Sequence, residues 1–472
     1  MIWTSFKEFD ASFNFNAKAG FNLTVKQIEQ VEECIDYKKL LNKSEVGCGK
    51  TVVSTAISYM QGYEVTIVAM PPILMTGWSK WLAKFGDKVV VYRGKPKDRE
   101  KLKEELTSAR WILCSHAIFR DEFDVLTKAL TRRYYELIVD EAQWLKNPKS
   151  ILFKKVKLMT AGNHGCQMLT GTPTSKPTDS YTYIKVKSPD LYRSYGHFEA
   201  VHVAERDFFK NPTKYDNLDK LRENMDLQSV TATKEAMHGY SLKPLMPDCS
   251  YDLDPDHYRL YQKLVDEQLL VFDDGSIIDA STSQKLRQAL QQVVVNWEHF
   301  ANDPKCISQA YRVVDQTIEE IEVSNKSKSK LIIWIAYKRT ARNITSYCNS
   351  LGIKTVAAYA EADTEKSVQD FLEDDSTRIL VANPQSCGAG LNPQFVCSED
   401  LYLEISTSPI YMRQALGRID RMGQTKTPRH KFAIANGTVQ VGLLQGLLAN
   451  DDLVATVETD KRSIRAMLMG EM

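Results

Sequence analysis

Short apolar runs that end in polar or turn residues alternate, along most of the chain, with apolar positions at helical spacing. LTVKQIEQVEECID sets Ile28, Val31 and Ile35 on one face, which predicts a helix. EVTIVAM and RWILCS are compact apolar runs with the look of buried parallel strands. Between them, PPILMTGWSKWLAKF spaces Trp78, Leu82 and Phe85 as a helical core stripe, so its tryptophans read as packing. An apolar strand over 137–139 runs into the acidic pair Asp140 and Glu141. From 188 to about 330 the pattern is helical and poor in strand signal, with LDPDHYRLYQKLVDEQ and SQKLRQALQQVVVNW as its clearest helices. SNKSKSK is then a polar linker. LIIWIAYKRTARNITSYCNSLGI restarts the strand–helix alternation, and further strands are expected at 354–358, 378–382, 401–405 and 431–434. The aromatic opening segment, to residue 22, reads as a short strand or hairpin. GTVQVGLLQGLL and the rest of the C-terminal stretch read as a helix that braces two domains.

A length of 472 residues suits two or three domains. The net charge of +1 means that any nucleic-acid site must be a local groove, because there is no global basic footprint. Nine scattered cysteines without a CxxC pair fit reduced thiols and argue against a zinc site or a disulfide framework. MIWTSFKEFDASFNFN lacks the charged-then-apolar order of a signal peptide, and no apolar run approaches the ~20 residues that span a bilayer. A soluble, cytoplasmic protein without a membrane partner is the expectation.

Three stretches carry chemistry. In SEVGCGKT, Gly47 and Gly49 let backbone amides turn inward around phosphates. Lys50 neutralises the outer phosphate oxygens and the Thr51 hydroxyl can hold Mg²⁺. The strict pattern has glycine where Ser44 stands, and Cys48 reads as a small packing residue in the loop. In the second stretch, Asp140 is placed to hold the metal and Glu141 to polarise the attacking water. In QALGRIDRMGQ, read as a helix, Gln414, Arg418 and Arg421 fall at i, i+4 and i+7 on one face. A triphosphate suits that arginine pair, since each guanidinium offers a fork of donors matched to phosphate oxygens; a solvated basic face is the plain alternative.

In order and in content these stretches resemble the helicase motifs of the Swi/Snf-like family, within the second superfamily of helicases. The resemblance runs from Gln27 to about Val439. It implies two RecA-like doubly wound parallel-sheet α/β domains with helical insertions: an ATP-binding domain over 1–250, an insertion and linker over 251–330, and a second RecA-like domain over 331–472. It implies that Gln27 reads adenine, although Lys26 stands where the family usually has an aromatic. Gln143, Thr170, Thr172 and Gln414 would couple ATP to DNA, although Thr174, Ser175 and Lys176 replace the family's usual apolar-Gln-Asn after Pro173. Ser115, His116, Lys338, Ser386 and Gly388 would meet the DNA backbone, with Gly388 and Gly390 allowing close approach. Arg418 and Arg421 would complete the ATP site in cis.

The implied activity is a DNA-dependent ATPase that uses ATP and Mg²⁺ to translocate 3′→5′ on duplex, forked or branched DNA. It would act as a monomer without an obligate protein partner, remodelling forks or recombination intermediates. The small insertions, with no chromatin-reading module in the sequence, point to a bacterial or bacteriophage setting. A strand-separating DNA or RNA helicase is the runner-up. A ring-forming ATPase with a trans arginine is disfavoured because the second α/β domain would supply the arginines in cis, and intact Lys50, Asp140, Glu141, Arg418 and Arg421 argue against a DNA-binding scaffold with a dead ATP site.

Overall fold

The computed structural model describes residues 3–238, 244–271, 277–324, 329–359, 364–387, 391–406, 408–421 and 423–455. The polar linker SNKSKSK and the turn at Gly388 and Gly390 fall wholly or largely outside them. The chain forms two compact units, one through 238 and the other from 244 to 451.

The first unit is built on a seven-stranded sheet of β1 (Lys39–Asn42), β2 (Val65–Met70), β3 (Val89–Tyr92), β4 (Trp111–Ser115), β5 (Tyr135–Asp140), β6 (Gly165–Leu169) and β9 (Ser229–Val230). Its order is β3-β4-β2-β5-β6-β1-β9, and every pairing is parallel. Because both faces are covered by helices, β2 and β4 are buried at every position, which is why they read as unbroken apolar runs. Register decides where the chemistry lies. Asn42 pairs with Leu169 and Leu169 with Asp140, so β1, β6 and β5 all end at the same edge. The carboxyl edge of a parallel sheet, beside a switch in strand order, is where α/β folds bind ligands.

The opening segment is helical, not a strand or hairpin. Helices Phe6–Phe13 and Phe15–Ala19 meet at Asn14, whose φ of 58° makes the corner. Phe6 and Phe9 lie three apart and share a helix face. With Phe15 they bury against Val53, Ile57 and Met60 of the helix after the phosphate loop.

The stretch from 188 also holds more strand than its pattern suggested. β7 (Val203–Arg206) and β8 (Pro212–Tyr215) form an antiparallel hairpin. β9 closes the first sheet, and β10 (Asp248–Tyr251) opens the second. β11 (Leu269–Val271) and β12 (Ile277–Asp279) make another small hairpin. All are short, and exposure on β7 and β8 leaves no hydrophobic signature.

The second unit carries a six-stranded, all-parallel sheet that β10 shares with β13 (Lys330–Trp334), β14 (Thr355–Ala358), β15 (Ile379–Ala382), β16 (Cys397–Tyr402) and β17 (Arg429–Ala435), in the order β10-β17-β16-β13-β15-β14. The helices Pro255–Glu267, Ser283–Val295 and Gln309–Ser324 share one core with this sheet: Leu264, Val294 and Val314 bury in the same cluster as Ile333, Ile344 and Leu401. β16 begins four residues earlier than the apolar pattern implied. Its residues Ser398 to Asp400 are buried but polar; Asp400 accepts from the Trp334 indole at 3.1 Å and meets His430 Nδ1 at 2.8 Å.

Candidate ATP and coupling site

The loop after β1 is shaped by local bonds that explain its departures from the strict phosphate-loop pattern. Ser44 is fully buried; its hydroxyl accepts from Gln30 Nε2 at 2.9 Å and its amide donates to Asn42 Oδ1 at 3.1 Å. A glycine there would leave the Gln30 amide without this partner. Gly49, at φ 74°, is the N-cap of helix Lys50–Met60, so the helix's positive end faces the loop. A side chain at Gly49 would come within 2.4 Å of Gln27 Nε2. Gln27 is therefore tied to the phosphate loop, while its Oε1 accepts the Thr24 amide at 3.0 Å in a capping box. Lys50 donates to the carbonyls of Ser44 and Glu45, at 2.8 and 3.0 Å, which folds its ammonium into the loop. Thr51 is the next residue, in the first turn of the helix. Cys48 is buried with Ala232 and Met237, the packing role its size suggested.

Asp140 ends β5 with its side chain buried, and three groups hold it. The Trp78 indole donates to Oδ2 at 2.7 Å, the Glu141 amide donates to Oδ1 at 2.9 Å, and His116 Nε2 lies 2.9 Å from its carbonyl oxygen. Burial, and then the neighbouring Glu141 charge, push the Asp140 carboxyl up to about 6, against opposing pulls from Trp78 and Lys50. Two adjacent acids beside a lysine, one buried and reluctant to ionise, suit a divalent cation, whose charge would oppose both the burial and the repulsion that raise Asp140. Trp78, read from the sequence as packing, thus orients a candidate metal ligand; only a partner in three dimensions distinguishes the two roles.

Ser115 and His116 do sit at this edge, but they face inward. The Ser115 hydroxyl caps the next helix by accepting from the Ile118 amide at 3.1 Å. Burial pulls the His116 imidazole down to about 4, so it is neutral at physiological pH and braces Asp140.

From Asp140 the chain turns through Glu141 at φ 53°, a left-handed conformation uncommon outside glycine, and into the 3₁₀ turn Ala142–Leu145. The turn brings Gln143 back onto Glu141, with Nε2 donating to Oε2 at 2.7 Å. Thr170, one residue past the end of β6, donates its hydroxyl to Gln143 Oε1 at 2.8 Å and accepts the Thr172 amide at 3.0 Å. Glu141, Gln143 and Thr170 thus form one hydrogen-bonded chain. The Tyr183 hydroxyl, which the sequence did not flag, lies 2.7 Å from the Pro173 carbonyl and 3.2 Å from that of Ala142, tying the same two loops together. Gly171 packs directly on the phosphate loop: a Cβ there would meet Val46 Cγ2 at 2.7 Å. The Thr172 hydroxyl is buried without a hydrogen-bond partner among the described residues.

In the second unit the helix Pro409–Ile419 carries Gln414 and Arg418, both buried. It stops before Arg421, so the i+7 placement on one helical face does not hold. Beyond the helix Gly423 takes φ 89°, and Gln424 Nε2 donates to the Ile419 carbonyl at 3.1 Å and to that of Cys397 at 2.9 Å, taking up the helix end. The arginines converge another way. Arg418 Nη1 donates to the Leu391 carbonyl at 3.2 Å, Arg421 Nη1 reaches the same oxygen at 3.4 Å, and Arg421 also bonds Asn392 Oδ1. Arg418 Nε donates to the Gln414 carbonyl at 3.0 Å. Lys338 is exposed on the first turn of helix Lys338–Ser350, and the amides of Ala336 and Tyr337 just before that helix donate to buried Glu404. Ser386 lies in the short helix Pro384–Cys387.

A parallel sheet ending in a glycine-bounded loop, a lysine-led helix and an acidic pair defines a phosphate-loop nucleotide-binding protein. The SNF2-related domain matches residues 18–305, and the chain belongs to that family. It is 22% identical over 431 residues to an uncharacterized ATP-dependent helicase of Mycoplasma genitalium, an alignment covering 87% of this chain and 39% of that protein. It is 21% identical to the uncharacterized ATP-dependent helicase YqhH of Bacillus subtilis, covering 84% of this chain and 72% of the other. The chain thus spans about two fifths of the mycoplasma relative's length. Among solved structures, the Sulfolobus solfataricus SWI2/SNF2 ATPase core in complex with dsDNA aligns over 95% of this chain and 94% of that one, at 20% identity and a TM-score of 0.40. No described helix is long and apolar enough to cross a membrane.

Proposed function

We propose that this protein is a DNA-dependent ATPase that translocates on DNA, acting on duplex, forked or branched substrates. The observation that carries the reading is the hydrogen-bonded chain from Glu141 through Gln143 to Thr170, set beside a loop that seats Lys50. In this reading the amides of the phosphate loop and Lys50 bind the phosphates, and Thr51 and Asp140 hold Mg²⁺, which neutralises charge on the outer phosphates. Glu141 orients and polarises the attacking water. Arg418 and Arg421 stabilise the charge that develops on the outer phosphate in the transition state.

Gln143 and Thr170 report the state of Glu141 to the loop 170–176, the route by which DNA and hydrolysis are coupled. We reassign His116 from the DNA backbone to the support of Asp140, and Ser115 to the cap of the following helix, because their polar atoms serve the protein interior. Lys338 and Ser386 keep the backbone role. ATP is the substrate. DNA is the partner favoured by family membership, and the cytoplasm is the compartment consistent with the bacterial relatives.

The test is ATP hydrolysis with single-stranded, duplex, forked and four-way DNA and with RNA, paired with displacement of a third strand from a triplex. DNA-stimulated hydrolysis with triplex displacement supports translocation. Stimulation by RNA alone, or none by any nucleic acid, contradicts it.

A further inference from the structure

The β7–β8 hairpin ends in two phenylalanines that no packing explains. Phe208 is 94% and Phe209 79% exposed, although burial of such side chains is ordinarily among the strongest stabilising terms in a fold. The tip that presents them is firmly built. The Lys210 amide donates to the Asp207 carbonyl at 2.9 Å, with Lys210 at φ 64°. The Asp207 carboxylate takes the Asn211 amide at 2.8 Å and its side-chain nitrogen at 3.1 Å, and Arg206 donates to the Lys210 carbonyl at 2.8 Å. Below the tip, Arg206 pairs with Glu199 at 2.9 Å, fixing the hairpin to helix Tyr195–His202. The two rings sit edge to face, with centroids 5.5 Å apart.

Beside the hairpin lies an open groove of about 800 Å³, whose lining includes Lys146, Asn147, Lys149, Lys176 and Lys210. All four lysines are exposed. Two arms of the coupling chain end there. Lys146 directly succeeds the 3₁₀ turn that holds Gln143, and Lys176 closes the loop that begins at Thr170. The groove therefore borders the two loops whose residues Gln143 and Thr170 bond in series to Glu141.

Building on the reading of the protein as a DNA-dependent ATPase, we propose that this groove and hairpin tip form a junction-recognition site. A DNA backbone lies along Lys146, Lys149, Lys176 and Lys210, and Phe208 and Phe209 stack on unpaired bases where duplex gives way to single strand. The groove's lining also holds Arg206, Glu199 and Asp179, so basic side chains outnumber acidic ones and favour a polyanion. The bare aromatic tip selects unpaired bases, because ring faces inside a continuous duplex are already covered by their neighbours. The preferred substrate is therefore a fork or branch, and its engagement is transmitted through Thr170 and Gln143.

The test uses the full chain and the double variant Phe208→Ala/Phe209→Ala. The probe is a forked duplex carrying 2-aminopurine at the junction, with the same sequence fully paired as control. The variant should bind the fork about ten-fold or more weakly, by the usual effect of losing base stacking, and should lose the wild type's 2-aminopurine change. Affinity for the paired duplex, and hydrolysis stimulated by it, should stay as in wild type. Replacing both phenylalanines by tyrosine should restore fork binding. Lys149→Ala and Lys210→Ala, which leave the aromatic pair intact, should each lower the slope of log affinity against log salt by about 1.

Equal fork binding by wild type and the double alanine variant overturns the proposal. So does an equal loss on fork and paired duplex, or a variant that changes only self-association, which would make the tip a contact for a second copy. A wild type that no DNA stimulates refutes the function on which the proposal rests. A stimulated wild type with unaffected hairpin variants refutes the junction site alone.

Discussion

Replacing Trp78 with phenylalanine removes one hydrogen-bond donor from Asp140 while keeping an aromatic ring in the core. The indole N–H lies 2.7 Å from Oδ2 of a buried carboxyl that burial already holds up at about 6. A hydrogen bond to a charged group is worth about 1.5–3 kcal/mol, and each ~1.4 kcal/mol is a factor of ten. Losing it should weaken the orientation and ionisation of Asp140 enough to raise the Mg²⁺ concentration for half-maximal hydrolysis about 10- to 100-fold, the usual range for a partner behind a metal ligand. Two measurements check this: Mg²⁺ titration of steady-state hydrolysis at saturating total ATP, and Mn²⁺ binding to the ADP complex by electron paramagnetic resonance. Both should shift together. Leu82→Ala serves as the packing control, since Leu82 is fully buried on the same helix and its truncation should cost about 2–5 kcal/mol of stability without removing a donor. A Trp78→Phe protein with wild-type Mg²⁺ and Mn²⁺ behaviour, or a Leu82→Ala protein with the same shift, would refute the reasoning.

Thr170→Val should leave ATP affinity and DNA-free hydrolysis near wild type but cut DNA stimulation several-fold, because Gln143 loses the hydroxyl at 2.8 Å; comparing hydrolysis with and without DNA decides it. Arg421→Ala should lower DNA-stimulated turnover by about 100-fold with little change in nucleotide affinity, as for other arginine fingers, and a variant that hydrolyses normally but binds DNA poorly would move that arginine to the DNA site. Buried Glu136 is pushed up to about 7 by burial, opposed by bonds from Gln167, Ser58 and Thr66 and by the Arg110 charge. The folded state thus holds this proton more tightly than the unfolded chain, and the associated stability falls as pH rises from about 4.5 through about 7. Melting temperatures from pH 5 to 8 should accordingly drop further for wild type than for Glu136→Gln, and parallel curves would rule out this role for Glu136.

Much of this molecule could be read from its residues because local pattern and burial agreed. β2 and β4 are apolar at nearly every position since both faces of a parallel sheet are covered, and register alone brings the ends of β2 and its neighbour β5 to one edge. Where long-range partners decide the outcome, the pattern was silent. Asp400 of β16 is polar yet buried because His430 and Trp334 meet it across the sheet. The helix bearing Arg418 ends at Ile419, whose carbonyl Gln424 takes up from five residues on, a partner that helical spacing does not reveal. Ser44 departs from glycine because Gln30, fourteen residues away, needs its hydroxyl. The same limit hid the roles of Trp78 and Tyr183, whose rings look like ordinary core until the carboxylate and carbonyls they bond are placed beside them.

Hydrolysis by Glu141→Gln, measured with saturating ATP and forked DNA beside the wild type, bears most directly on the claim that this edge of the first sheet is a DNA-driven ATPase centre. The substitution keeps the shape of the side chain and its place beside Gln143 but removes the carboxylate proposed to polarise water. Wild-type hydrolysis should rise with DNA, and the variant should still bind a fluorescent ATP analogue yet turn over at least about 100-fold more slowly. Near-wild-type turnover by Glu141→Gln, with the same DNA stimulation, would contradict that claim.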